Sequence, residues 1–243
     1  MKASVSALAV GLVMGFVGVE VGFGGERQVD VEPYREASEE KWEEEMLEFA
    51  TLDREEESAE GAVLFVGSSS IRLWDTIGED MAPYGVIQRG FGGSKWSDVA
   101  VHFERLITPH RFPAVVFFVG NDIKGAPEED KAPEEIAALF EYVLVNVRRH
   151  EPEAAVFFVP VTPTEKRWAA WPAIQEANAA IGAVCEADGN AWVVETAEIY
   201  LGEDGKPRSE LFKEDRIHLN REGYRLWGEA IKKELNARLG GGE

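Results

Sequence analysis

A chain of 243 residues that is 45% hydrophobic can bury one sizeable core and still leave residues over for an extension. Asp and Glu outnumber Lys and Arg 45 to 25, giving a formal charge of -20 that repels phosphodiester backbones and anionic membrane surfaces and disfavours nucleic acid as a partner. The single cysteine, Cys185, excludes both a disulfide framework and a cysteine-built zinc site, and its alanine-rich surroundings mark it as a small core residue.

Residues 3–19, ASVSALAVGLVMGFVGV, are uncharged and follow Lys2, in the manner of the apolar region of a secretory signal. Export, periplasmic or secreted, is the expectation. A single lysine is a thin basic region, no Ala-x-Ala cleavage site follows, and 17 uncharged residues stand at the short end for a membrane span. The alternative for residues 1–25 is therefore an uncleaved N-terminal anchor, and membrane contact is expected only if that segment is retained. The next stretch, residues 26–60, is strongly acidic, but WEEEMLEFATLD spaces Trp42, Met46, Phe49 and Leu52 as on one helix face. It reads as a helical extension packed on the outside of the domain, with a solvated acidic linker as the rival.

From residue 61 onward, apolar runs at 62–66, 85–88, 114–119, 154–159 and 191–194 alternate with longer amphipathic segments, the pattern of repeated βα units. AVVFFVG and AAVFFVP hold no polar residue, as expected of central parallel strands covered on both faces. Helices are expected at about 95–107, 133–150, 172–187 and 221–238, the third opening at Pro172. Right-handed crossovers would deliver the turn after every strand to the carboxyl edge of one sheet, where parallel sheets hold their ligands. Those turns are GSSS, RGFGGSKW, GNDIKG, TPTEKRWAAW and the segment running to DRIHLN.

Nucleotide fingerprints fail in these turns. GFGGSK places Lys95 where a dinucleotide fold needs its third glycine, and no Gly-x-x-x-x-Gly-Lys-Ser/Thr occurs. Acyl transfer fits better, because it requires a nucleophile, a base, an orienting carboxylate and donors for an oxyanion. GSSS offers a hydroxyl. Asp215 and His218 stand three apart, close enough for the carboxylate to hold one imidazole nitrogen while the other takes a serine proton. Gly93 can present a backbone N–H and Asn121 a side-chain amide. Each piece also has a plainer use: a serine as helix cap, Gly92 and Gly93 for positive φ, Asn121 and Asp122 in a turn, and Asp215 as a cap. No His or Cys cluster accompanies Asp215 and His218 to make a metal site, and His102, His110 and His150 are assigned surface or structural roles.

In this order and spacing the residues resemble the SGNH hydrolases, or GDSL-type esterases and lipases, over about residues 61–238, and the first block Gly-Ser-Ser-Ser-Ile-Arg-Leu-Trp is similar to that of one subgroup. The resemblance implies a three-layer α/β/α sandwich on a flavodoxin-like, parallel five-stranded sheet for residues 61–239, hydrolysing esters without a cofactor or metal. By register it makes Ser69 the nucleophile, with Ser68 in place of the family aspartate and Ser70 the less favoured alternative. It maps the oxyanion donors to Ser69, Gly93 (Gly92 being the neighbouring choice) and Asn121, and the final block Asp-x-x-His to Asp215 and His218. The third block, normally Gly-x-Asn-Asp, reads VGND, one residue short, which leaves the reach of the Asn121 amide open. The expected substrate is a small-molecule or glycan ester, with Trp168 and Trp171 either facing it or buried in the core. A carbohydrate O-acetyl esterase and a non-catalytic glycan-binding module on the same fold are the alternatives.

Overall fold

The computed structural model of the chain describes residues 29–55 and 60–240, so the segment read as signal or anchor, residues 1–25, lies outside the described residues. In chain order the elements are α1 (Glu32–Glu55), β1 (Val63–Gly67), α2 (Ser69–Arg72), α3 (Ile77–Asp80), β2 (Val86–Gly90), α4 (Trp96–Val101), α5 (Phe103–Leu106), β3 (Ala114–Phe118), α6 (Pro133–His150), β4 (Ala155–Phe158), α7 (Trp171–Asp188), β5 (Ala191–Val193) and α8 (Arg221–Leu239). The five strands form one parallel sheet in the order β2-β1-β3-β4-β5.

Strand residues alternate between two cores, as a period of two demands. Leu64, Val66, Val115, Phe117, Val156 and Phe158 face one side, with α1, α4, α6 and α7 over them. Val63, Phe65, Val116, Phe118 and Phe157 face the other, against α8 and the Trp74 region. There Trp227 of α8 lies 5.1 Å from Trp74 and 4.9 Å from Phe118, centroid to centroid. Local signals set the helix ends: Asn220 Oδ1 accepts from Gly223 N at 3.0 Å to start α8, and Gly189 (φ +81°) stops α7. Cys185 is buried in α7, as its surroundings suggest.

Two features depart from the simple pattern. The helix expected over 95–107 is interrupted at His102, whose φ and ψ of -92° and 14° leave the helical basin. Its ring is held inward, with Nε2 3.2 Å from the Ser38 carbonyl oxygen of α1. The acidic extension is a 24-residue packed helix rather than a solvated linker. Trp42, Met46 and Phe49 are buried, Trp42 meeting the edge of Phe91 at 5.1 Å, while Ser38 Oγ donates to Asp98 at 2.7 Å and Asp53 pairs with buried Arg89. His110 Nε2 lies 3.4 Å from the same Asp53, and His150 Nε2 is 2.8 Å from the His110 carbonyl, so all three of these histidines sit in structural contacts.

Candidate active site

The carboxyl ends of the strands deliver their turns to one edge. β1 ends at Gly67, Ser68 caps the next turn in extended conformation, and Ser69 opens α2. Ser68 and Ser70 are buried, whereas Ser69 is half-buried and its Oγ lies 2.9 Å from Nε2 of His218, 149 residues along the chain. His218 Nδ1 lies 2.6 Å from Asp215 Oδ2, and Asp215 Oδ1 accepts the backbone N–H groups of Ile217 and His218, each at 3.0 Å. That tight turn puts Arg216 at φ +58°. Partial burial alone would raise the Asp215 carboxyl, but the hydrogen bonds from His218 and Ile217 outweigh it and bring it down to about 2. The carboxylate is thus ionised throughout the ordinary working range and favours the Nδ1–H tautomer, which leaves Nε2 free to accept.

Asn121 is buried after β3; its Nδ2 donates to the Ser94 carbonyl at 3.2 Å, tying the third turn to the second. In the second turn Gly93 has φ +85°, a conformation that needs glycine, and a Cβ on Gly92 would stand 2.9 Å from the Arg72 guanidinium. A cavity of about 30 Å³ opens beside Ser69 and His218, lined also by Phe118, Asn121, Thr162, Thr164 and Arg167. Gly93 adjoins this cavity through the Ser94 link and is not part of its wall. Trp168 and Trp171 stack at 6.3 Å and 13°, Trp171 buried and Trp168 half-buried against the core of the α7 side, and neither lines the cavity. The fourth turn reaches the cavity instead through Thr162, Thr164 and Arg167, which the sequence reading passed over in favour of the aromatic rings. The available signal was a cation in an edge turn of a strongly acidic chain. Among the described residues no group of three or more His, Cys, Asp or Glu side chains is placed to hold a metal ion.

Asp122 sits behind the site, accepting from Trp96 N at 3.0 Å. Burial pushes its carboxyl up to about 7, the Trp96 N–H and Lys131 pulling the other way. A carboxyl raised above its unfolded value of about 3.9 makes the native state bind the proton more tightly; the stability it contributes is full below about pH 4 and is lost as pH rises through about 7. Chemical denaturation at about pH 5 and about pH 8 should therefore show wild type losing a few kcal/mol relative to Asp122→Asn at the higher pH. Parallel pH dependence in the two proteins would contradict it.

A parallel α/β sandwich with this topology is the SGNH hydrolase fold. A model of the GDSL-like lipase/acylhydrolase family matches residues 64–226, and the chain belongs to that family: it is a hydrolase acting on ester bonds. A GDSL-like lipase from Bacteroides thetaiotaomicron is 20% identical, with a TM-score of 0.67 over 79% of this chain and 97% of its own. The acetyl xylan esterase AlAXEase is 20% identical, with a TM-score of 0.61 over 72% of this chain and 99% of its own. A catalytic mutant of Axe2, an acetylxylan esterase from Geobacillus stearothermophilus, is 12% identical, with a TM-score of 0.61 over 74% and 95%. No curated protein matches the chain. Membership in an acylhydrolase family disfavours the non-catalytic glycan-binding module.

Proposed function

We propose that the chain is a serine esterase working through an acyl-enzyme. Ser69 Oγ attacks the ester carbonyl while its proton passes to His218 Nε2; the imidazolium then protonates the leaving alkoxide, releasing the alcohol. Water, deprotonated by the same nitrogen, attacks the acyl carbonyl, and the proton returns to Ser69 as the acid leaves. Asp215 keeps the imidazole oriented and stabilises its charged form. The Ser69 N–H, the Gly93 N–H and Asn121 Nδ2 hold the oxyanion in both steps. The observation that supports this most is the 2.9 Å approach of Ser69 Oγ to Nε2, since the two residues meet only because the fold gathers the first and last turns. Ester turnover by the purified protein, and its loss on Ser69→Ala, tests the proposal.

The cavity also speaks to the acyl group. The space of about 30 Å³ beside Ser69 and His218 has room for the methyl of an acetyl group, and a longer acyl chain would have to extend out of the cavity mouth toward solvent. In a p-nitrophenyl ester series, kcat/KM is expected to fall by about 10- to 100-fold from acetate to butyrate, the range for overfilling a packed pocket. Equal or better turnover of octanoate would contradict a short-acyl site. The acetyl xylan esterases AlAXEase and Axe2 among the structural neighbours are compatible with an acetyl-sized site.

A further inference from the structure

We infer that Arg167 is a positioning residue of the oxyanion hole, acting through Asn121, and this inference rests on the serine-esterase reading of the site. Its guanidinium reaches from the fourth turn to the third: Nη2 donates to Asn121 Oδ1 at 2.8 Å and Nη1 to the Gly120 carbonyl oxygen. Arginine has no acceptor, so the amide atom facing it must be the oxygen, which fixes which way Asn121 points. The amide nitrogen is then turned away from Arg167, where one N–H reaches the Ser94 carbonyl at 3.2 Å and the second is left for an oxyanion. Arg167 and Asn121 both line the cavity that holds Ser69 and His218.

The electrostatics agree with that placement. Arg167 is desolvated, and burial lowers its pKa from the usual guanidinium value, with Asp130 and Asp122 pulling the other way; as an arginine it keeps its charge. Its two partners are carbonyl oxygens, while Asp122 and Asp130 act on it only through space. A cation held on Oδ1 polarises the Asn121 amide, so its remaining N–H donates more strongly to the negative charge that forms in the tetrahedral transition states. The arm that carries it is braced within its own turn, where Thr164 Oγ1 accepts from Arg167 N at 3.2 Å, and tied to the turn that presents His218, where Lys166 N donates to the Arg216 carbonyl, also at 3.2 Å. A third block shortened to VGND is thus held by a clamp on Gly120 and Asn121 from the neighbouring turn.

The test is a double-mutant cycle on p-nitrophenyl acetate with Arg167→Gln, Asn121→Ala and the pair. Asn121→Ala is expected to lower kcat about 100-fold and Arg167→Gln about 30-fold, with KM changed less than about twofold in the latter. Because one residue acts through the other, the double variant should fall no more than about threefold below Asn121→Ala alone. Arg167→Lys retains the charge without the fork and should lose about 5- to 10-fold in kcat; it carries the same cycle if Arg167→Gln does not fold. Losses that multiply in the double variant, an effect confined to KM, or wild-type kcat in the single variants would each overturn the role. An effect confined to KM would instead make Arg167 a substrate contact. Ser69→Ala separates the two levels: retained turnover there defeats the esterase reading itself, whereas its loss together with multiplying effects defeats the Arg167 role alone.

Discussion

Ser69→Ala and His218→Ala are each expected to lower kcat for ester hydrolysis by about 10⁴- to 10⁶-fold, with an unfolding temperature close to wild type. Ser69 is half-buried at the first position of α2, where alanine is compatible with the helix and its smaller side chain opens no core cavity. The hydroxyl removed is the group placed 2.9 Å from Nε2, and the imidazole is the proton acceptor beside it. The two losses should match, and the double variant should add little, because nucleophile and base act in a single event. Asp215→Ala is expected to be milder by at least about tenfold, since the imidazole remains and only its orientation and charge stabilisation weaken. With Asp215 ionised down to about 2, the acid limb of a kcat/KM profile reports a group other than this carboxylate. Steady-state kinetics with p-nitrophenyl acetate check all three, and turnover by Ser69→Ala within about a hundredfold of wild type would contradict the assignment.

Gly67→Ala is expected to cost more than about 3 kcal/mol of stability, the largest effect on folding among the residues at this edge. A Cβ there would lie 2.0 Å from the Phe118 carbonyl oxygen and 2.8 Å from its carbon. Both atoms are backbone, in register with Gly67 across β1 and β3, and the same oxygen accepts the Ser68 N–H at 2.9 Å. No rotamer change relieves the clash. The central strand pair must open at the end that carries Ser69, so any folded fraction should also lose activity. Gly78→Ala is the control: nothing lies within 4 Å of a Cβ there, and in α3 the substitution should be neutral to slightly stabilising. Denaturant midpoints for the pair measure the contrast, and equal midpoints would contradict it.

The sheet was legible because its strands are apolar without interruption and its turns are rich in glycine; the strands at Val63–Gly67, Ala114–Phe118 and Ala155–Phe158 fall within a residue or two of the runs that announce them. The shared edge of the GSSS and DRIHLN turns was legible too, once parallel crossovers were assumed, and the register of the resemblance singled out Ser69 to meet His218 and Asp215 there. What the letters did not show depends on contacts far along the chain. Ser38 continues the buried face of Trp42, Met46 and Phe49 one turn earlier, but as a polar residue it carries no hydropathy signal; it bonds Asp98, and its carbonyl receives His102 where the helix expected over 95–107 breaks. Arg167 looks like a surface cation until Asn121, 46 residues earlier, is placed against it. Trp168 and Trp171 carried the strongest local signal in their turn, but a stacked aromatic pair has the same pattern whether it faces a ligand or a core. Among the three adjacent serines Ser69 was chosen only by the register of the resemblance; the burial of Ser68 and Ser70 and the approach of the imidazole to Ser69 have no local sequence signature.

The most direct measurement is covalent labelling with a fluorophosphonate followed by peptide mapping of residues 61–74 by mass spectrometry. A single adduct on Ser69, absent from His218→Ala, is the predicted result. An adduct on Ser68 or Ser70, or an active enzyme that takes up no label, would contradict a Ser69 nucleophile activated by His218.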